Sequence, residues 1–105
     1  MSVLNVIRWD ILPDKAESYI QWIQSAIPRI LAVPGIIEFR AYRPATGSSQ
    51  VVVTFEFADL ATWAAWYSNE EAQKVLNELY SYATNISLEL WGPSPLVPEP
   101  IRPSK

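Results

Sequence analysis

Three stretches of the sequence alternate apolar and polar side chains, as strands do when they bury one face. A fourth, at residues 50–57, is a near-continuous apolar run, which predicts a central strand. These predicted strands cover residues 3–12, 36–43, 50–57 and 85–91. Helical patterns lie between the first and second strands and between the third and fourth. A loop of proline, glycine and serine residues at 44–49 joins the second strand to the third as a hairpin. The predicted order of elements is therefore β-α-β-β-α-β.

The first helical pattern starts at Pro13, because proline fits the first turn of a helix. Its apolar positions recur every three or four residues, which predicts one buried stripe. That stripe consists of Ala16, Tyr19, Ile20, Ile23, Ile27, Ile30 and Leu31. Pro28 removes a backbone hydrogen bond inside the pattern, so we expect a kink there. Trp22 falls outside the stripe and is predicted to be a surface or contact residue.

The second helical pattern contains two start signals. Asp59 is a good N-cap for a first segment. Ser68 followed by Glu71 matches a capping box, which predicts that a second segment begins there.

This order of elements predicts an α+β domain of the ferredoxin-like type, with a four-stranded antiparallel sheet and both helical regions on one side. A chain of 105 residues suffices for one such domain, which we expect at residues 1–92. Residues 93–105 contain five prolines and are predicted to form a proline-rich C-terminal arm. Two interpretations of the arm stay open: an extended segment across a partner subunit, or a disordered tail.

The sheet face turned away from the helices is half polar, which is typical of an interface between two sheets. Its polar and aromatic members are Arg8, Asp10, Glu38, Arg40, Tyr42, Thr54, Glu56, Ser87, Glu89 and Trp91. Leu4, Val6, Leu12, Ile36 and Val52 lie among them. We therefore expect a homodimer, with the charged residues of this face forming ion pairs.

The composition excludes several classes of function. The net charge is −3 and no cluster of Lys or Arg occurs, so nucleic acid is not an expected partner. With neither Cys nor His in the chain, no side chain has an ordinary pKa near 7, and disulfides and thiolate metal sites are excluded. No apolar stretch approaches the about 18 residues of a membrane-spanning helix. We expect a cytoplasmic protein with no metal and no membrane partner.

Aromatic residues concentrate on the face that the helices should cover, and a polar amide lies among them. Asn5 shares this face with Trp9, Phe39, Phe55 and Phe57, and Tyr19, Trp63, Trp66 and Tyr67 can approach from the helices. For each ring the alternative interpretation is plain core packing. Asn5 differs, because a buried amide needs hydrogen-bond partners, either the backbone or a ligand.

Two segments carry a resemblance to a known family. They are Val33-Pro34-Gly35-Ile36 before the second strand and FEFADLATWAAWYSNEEAQK in and after the third. Over residues 3–91 the chain resembles the antibiotic biosynthesis monooxygenase-like family of the dimeric α+β barrel superfamily. The resemblance implies two protomers packed sheet to sheet, each with a cavity between its sheet and its helices.

Members of that family follow two chemistries. Some oxygenate phenolic polyketides without a cofactor, and their functional positions correspond to Val53, Phe57 and Trp63. Others bind and degrade haem through a Trp at the position of Trp66 and a His near the position of Leu76. Because this chain has no histidine, haem ligation of that kind is not expected, and no cofactor is predicted.

These observations predict a cofactor-independent monooxygenase-like protein that acts on a small aromatic or polyketide-like compound. The expected catalytic residues are Asn5, Trp63 and Trp66. The expected substrate-binding residues are Trp9, Tyr19, Phe39, Phe55, Phe57 and Tyr67. Two alternatives stay open: a non-catalytic dimeric protein that binds a small molecule, and a haem-binding protein with a ligand other than histidine.

Overall fold

The computed structural model describes residues 2–104 and consists of one sheet and three α-helices. The elements are β1 (Val3–Ile11), α1 (Ala16–Leu31), β2 (Glu38–Tyr42), β3 (Val51–Phe57), α2 (Leu60–Tyr67), α3 (Glu70–Leu79) and β4 (Ala83–Trp91). The strands lie in the order β2-β3-β1-β4, and every neighbouring pair is antiparallel. The predicted ferredoxin-like arrangement is confirmed.

The register of the sheet brings the predicted aromatic residues together. Asn5 lies opposite Phe55, and Phe55 lies opposite Phe39 on the edge strand. Side chains opposite one another in a ladder point to the same face. Asn5 and Phe55 are buried on this face together with Tyr19 of α1, so it is the face that the helices cover.

The first helical region begins with a single 3₁₀ turn (Pro13–Lys15) and continues as α1 through Pro28. The kink that we expect at Pro28 stays a prediction. The chain then turns at Gly35, whose φ of 120° is one that residues with a Cβ atom rarely adopt. A Cβ added there would lie 3.1 Å from Thr62 Cγ2 of α2, so the turn also needs glycine for close packing.

The outer face of the sheet combines buried aliphatic residues with ion pairs. Val6 is 1% exposed, although it points away from the helices. Around it, Arg8 pairs with Glu89 at 3.0 Å, and Arg40 pairs with Glu38 at 2.7 Å. Ion pairing within the chain is confirmed for these four residues, and pairing of charges across a dimer interface stays a prediction.

Two details of the strands differ from the sequence-based expectation. Ile36, predicted on the outer face, packs against the core, because β2 begins only at Glu38 and the chain before it is still leaving the turn. β4 begins at Ala83 rather than at residue 85, and the register shifts beside Arg8 and Asp10. Asn85 adopts a φ of 54° next to this irregularity, and its Nδ2 donates to Asp10 Oδ2 at 3.0 Å.

The capping box predicted at Ser68 is wrong by one residue. Asn69 is the N-cap of α3, and its Oδ1 accepts hydrogen bonds from the backbone N–H groups of Glu71 and Ala72. Ser68 is still in the helical conformation that ends α2, and its Oγ donates to the Ala64 carbonyl at 2.8 Å. The predicted cap of α2 is confirmed, since Asp59 Oδ1 accepts from Thr62 N.

Residues 92–104 form neither helix nor strand. Leu96 is 91% exposed and Ile101 is 78% exposed. Between them, Val97 borders an open groove together with Leu4 and Glu56 of the sheet. Within residues 2–104, no helix is both long enough and apolar enough to cross a bilayer.

The cap assignment gives a stability test. We expect Asn69→Ala to lower the free energy of unfolding by about 1 kcal/mol, because two backbone donors lose their acceptor. Ser68→Ala should cost less, since its hydroxyl only adds to carbonyls at the end of α2. Urea denaturation of both variants measures the difference. A larger loss of unfolding free energy for Ser68→Ala would show that Ser68, not Asn69, is the cap.

Candidate functional site

A partly enclosed apolar space, which we name the aromatic chamber, lies between the sheet, α1 and α3. Its volume is about 100 Å³. Four predicted substrate-binding residues line it, namely Trp9, Tyr19, Phe39 and Phe55. Almost every atom that faces the chamber is non-polar. A wall of this kind offers almost nothing to which a water molecule could hydrogen-bond.

The two polar atoms of the chamber wall satisfy each other. Trp9 Nε1 donates to the Tyr19 hydroxyl oxygen at 3.2 Å, and both side chains are buried. Burial raises the pKa of Tyr19, and the hydrogen bond from Trp9 opposes that shift. Tyr19 therefore stays an uncharged phenol at neutral pH, and the wall carries no charge there.

Trp22, predicted to be a surface or contact residue, is partly buried and lines the chamber. Its ring lines the space and stacks on Tyr82, with ring centres 5.1 Å apart and planes 22° apart. Its Nε1 donates to Glu78 Oε1 at 2.9 Å. An indole is large enough to reach the core from the margin of a helical stripe, which the spacing of apolar positions did not reveal.

Asn5 is the only amide among the fully buried side chains of the described residues, and its orientation is fixed. Trp63 Nε1 donates to Asn5 Oδ1 at 3.2 Å. Because an indole N–H can only donate, the amide must present its oxygen to Trp63. Asn5 Nδ2 then points elsewhere, and it has no hydrogen-bond partner among the described residues.

Trp66 supplies a second unused donor near Asn5. Its side chain is 1% exposed and packs against Phe55 and Phe57, each with ring centres 5.1 Å away. Its Nε1 also lacks a partner within residues 2–104. A buried donor without a partner costs about 1–3 kcal/mol. Both side chains lie beside Phe55, with Asn5 opposite it in the sheet and Trp66 against its ring, and core packing alone does not explain two unused donors there.

The structure divides the predicted site residues into two groups. Asn5, Trp63, Trp66 and Phe57 do not line the aromatic chamber. Phe55 connects the groups, because it lines the chamber and contacts Trp66.

Tyr67 lies in neither group and borders a second space, which we name the side pocket. Its ring stacks on Trp63 with centres 5.3 Å apart. The side pocket has a volume of about 130 Å³ and is bordered also by Gln73, Asn77, Tyr80, Ile86 and Leu88. Unlike the chamber, it offers polar groups. Sequence reasoning did not single out Gln73, Asn77 and Tyr80, since each looks like an ordinary surface position, and it took Ile86 and Leu88 only as members of the apolar face of the fourth strand.

Comparison with known proteins identifies the family. Residues 2–78 match the family model described as antibiotic biosynthesis monooxygenase.

The chain belongs to the antibiotic biosynthesis monooxygenase family.

Comparison with the sequences of curated proteins gave no match.

Solved structures with the same fold include proteins with and without a described activity. A DABB family protein with a ferredoxin-like fold from Mesorhizobium loti aligns at a TM-score of 0.78 and 12% identity, over 89% of this chain and 97% of the other. The cofactor-independent oxygenase SnoaB from Streptomyces nogalater aligns at 0.71 and 15%, over 93% and 98%. A dimeric protein of unknown function from Bacteroides fragilis aligns at 0.67 and 13%, over 86% and 94%. At these identities the likeness concerns the fold.

Within the described part of this antibiotic biosynthesis monooxygenase family chain, no three metal-ligating side chains come together. Four carboxyl groups have a pKa below the ordinary range because each accepts a hydrogen bond. The pairs are Glu38 with Arg40, Asp59 with Thr62, Glu78 with Arg29 and Glu89 with Arg8. A carboxylate made less basic in this way is a poorer proton acceptor.

An ion-pair network joins the two helices that roof the chamber. Arg29 of α1 donates to Glu71 from Nε at 2.8 Å and to both oxygens of Glu78 from its terminal nitrogens at 2.8 and 3.0 Å. Arg29, and then Trp22, lower the pKa of Glu78 to about 2. A two-pronged arginine–carboxylate pair fixes geometry as well as supplying energy, so this network holds α1 against α3.

The Glu78 network predicts a pH-dependent stability. Because the folded-state pKa is depressed from 4.5 to about 2, its contribution is complete above pH 4.5 and disappears as the pH falls to about 2. We expect Glu78→Gln to cost about 1 kcal/mol at neutral pH, a value reduced for partial exposure. Thermal unfolding across this range measures the loss, with Glu99→Gln as the control for one removed charge. A difference that does not shrink in acid would contradict the assignment.

Proposed function

We propose that the protein is a cofactor-independent monooxygenase that acts on a small aromatic or polyketide-like compound. The observation that carries the proposal is the pair of buried, unused donors at Asn5 Nδ2 and Trp66 Nε1. Donors left without partners are suited to an oxygen atom that gains negative charge during a reaction. A phenol or anthrone develops such an oxygen when it loses a proton.

Family membership and the likeness to SnoaB support this choice of chemistry. In the proposed reaction the substrate itself is the reductant. At one ring carbon, two C–H bonds are replaced by a C=O bond. One oxygen atom of O2 is retained there, and the other leaves as water with the two hydrogens. Atoms and electrons balance without a further reactant.

Each site residue has a proposed part in this reaction. Asn5 and Trp66 donate to the developing oxyanion. Trp63 is a positioning residue, because it holds the Asn5 oxygen and thereby directs the amide N–H groups away. The proposed substrate-binding residues surround the aromatic ring of the substrate with non-polar surface or pack against Asn5 and Trp66. They are Trp9, Tyr19, Phe39, Phe55, Phe57 and Tyr67.

A second candidate function is storage or transport of a small molecule. The observation that favours it is the uncharged, almost entirely non-polar wall of the aromatic chamber. Such a wall binds an apolar ring without activating it. This candidate predicts quenching of tryptophan fluorescence by a ligand that is recovered unchanged.

We also propose that the protein is a homodimer that pairs through the outer face of the sheet. Trp91 is 45% exposed on this face, beside the Arg8–Glu89 pair, and Tyr42 is 49% exposed. Exposed rings among paired charges fit an interface with an aromatic centre and matched charges. A fold neighbour from Bacteroides fragilis is described as dimeric, which supports this assembly. The C-terminal arm then has a partner surface across which it can extend.

Oxygen uptake tests the proposed reaction. We expect the native protein to consume O2 with anthrone, and Asn5→Leu and Trp66→Phe each to lower kcat at least about tenfold, since each removes one oxyanion donor. Trp91→Phe is the matched control, because it alters a tryptophan on the opposite face of the sheet.

Circular dichroism and thermal unfolding establish that each variant is folded. Uptake by the native protein no faster than the buffer blank would refute the proposed activity. Equal rates in native, Asn5→Leu and Trp66→Phe proteins would refute the roles of the two donors.

The proposed dimer is tested by light scattering after gel filtration. We expect the native chain to elute with the mass of two copies and Trp91→Asp to elute as one, because a new charge would be buried at the interface. Leu60→Asp on α2, another exposed apolar side chain, should leave the mass unchanged. A native protein with the mass of a single chain would exclude the dimer.

A further inference from the structure

The aromatic chamber and the side pocket share one wall. Ile7 of the central strand and Leu76 and Leu79 of α3 line both spaces. Leu76 and Leu79 are one helical turn apart and lie over Ile7, so the three side chains form a ridge between the two spaces. We name them the partition.

From this geometry we propose that Leu76 sets the length of the ligand by closing the passage between the chamber and the side pocket. The ligand class is a neutral amphipathic molecule with one apolar end and one hydroxyl or carbonyl end. Its apolar end occupies the chamber, and its polar end reaches the side pocket when Leu76 moves aside. This assignment rests on the proposed function only in placing the ring of the ligand in the aromatic chamber.

The size of the chamber supports the partition. A dry apolar cavity of about 150 Å³ accommodates benzene, and the chamber has about 100 Å³. It therefore holds at most the equivalent of a single ring. A compound of two or three fused rings exceeds this volume, and the side pocket is the adjoining space on the other side of the partition.

The chemistry of the two spaces supports an amphipathic ligand. The chamber presents almost no polar atom, since Trp9 and Tyr19 use their polar groups on each other. The side pocket is bordered by the phenols of Tyr67 and Tyr80 and by the amides of Gln73 and Asn77. Phenol and amide groups donate to and accept from a hydroxyl or a carbonyl.

Leu76 is the member of the partition that can move. Ile7 is 2% exposed and Leu79 is 4% exposed, so both are held on all sides. Leu76 is only partly buried, and it lies at the margin of the core cluster. A change of its rotamer displaces fewer neighbours than a change at either of the other two positions.

The test compares two probes under anaerobic conditions, so that binding is measured whether or not the protein is an oxygenase. Toluene reports on the chamber alone, and 2-naphthol reports on passage beyond it. We expect Leu76→Ala to lower the Kd of 2-naphthol at least about tenfold and to change that of toluene less than about threefold. Leu60→Ala, at an exposed leucine on α2, is the matched control and should change neither Kd.

Two further variants keep the proposal falsifiable. If Leu76→Ala unfolds, Leu76→Val replaces it in the test, because valine opens the passage by a smaller amount. It should shift the Kd of 2-naphthol in the same direction. Ala26→Leu places a larger side chain in the wall of the chamber and should abolish binding of both probes. The proposal is overturned if native protein binds no toluene, if 2-naphthol binds equally to native and Leu76→Ala proteins, or if Ala26→Leu retains 2-naphthol. Isothermal titration calorimetry supplies the constants.

Discussion

The central strand β1 pairs along both edges, with β3 and with β4, so its alternation decides which side chains meet the helices. One face presents Asn5 among aromatic rings, and the other presents Val6 among ion pairs. Because both edges are bonded, a slip of one residue would exchange these two faces entirely. The position of the amide, the apolar chamber and the charged outer surface are thus consequences of one register.

Much of this arrangement could be predicted from the sequence, because a period of two residues states directly which side chains share a face. That is why Asn5, Phe39 and Phe55 were expected together and are found together. Local signals were less decisive where two residues competed for one task. Ser68 and Asn69 can both cap a helix. Asn69 is the N-cap of α3, because Ser68 still belongs to the end of α2.

The candidate site was less predictable, since it depends on distances between elements rather than on order along the chain. The spacing of apolar residues left Trp22 outside the buried stripe, yet its ring lines the chamber and stacks on Tyr82. The same limit applies to Leu76, which reads as an ordinary core position in the sequence. Only the packing of α3 over Ile7 turns it into a wall between two spaces.

The electrostatics of the molecule restrict what the site can do. Glu78 and Glu89 are held as weak bases by Arg29 and Arg8, and burial keeps Tyr19 a neutral phenol. The protein therefore offers donors to a negative oxygen more readily than it offers a base to create one. A substrate that loses its own proton easily, as an anthrone does, matches that imbalance. The unused donors of Asn5 and Trp66 would then act after ionisation, by stabilising the anion that reacts with O2.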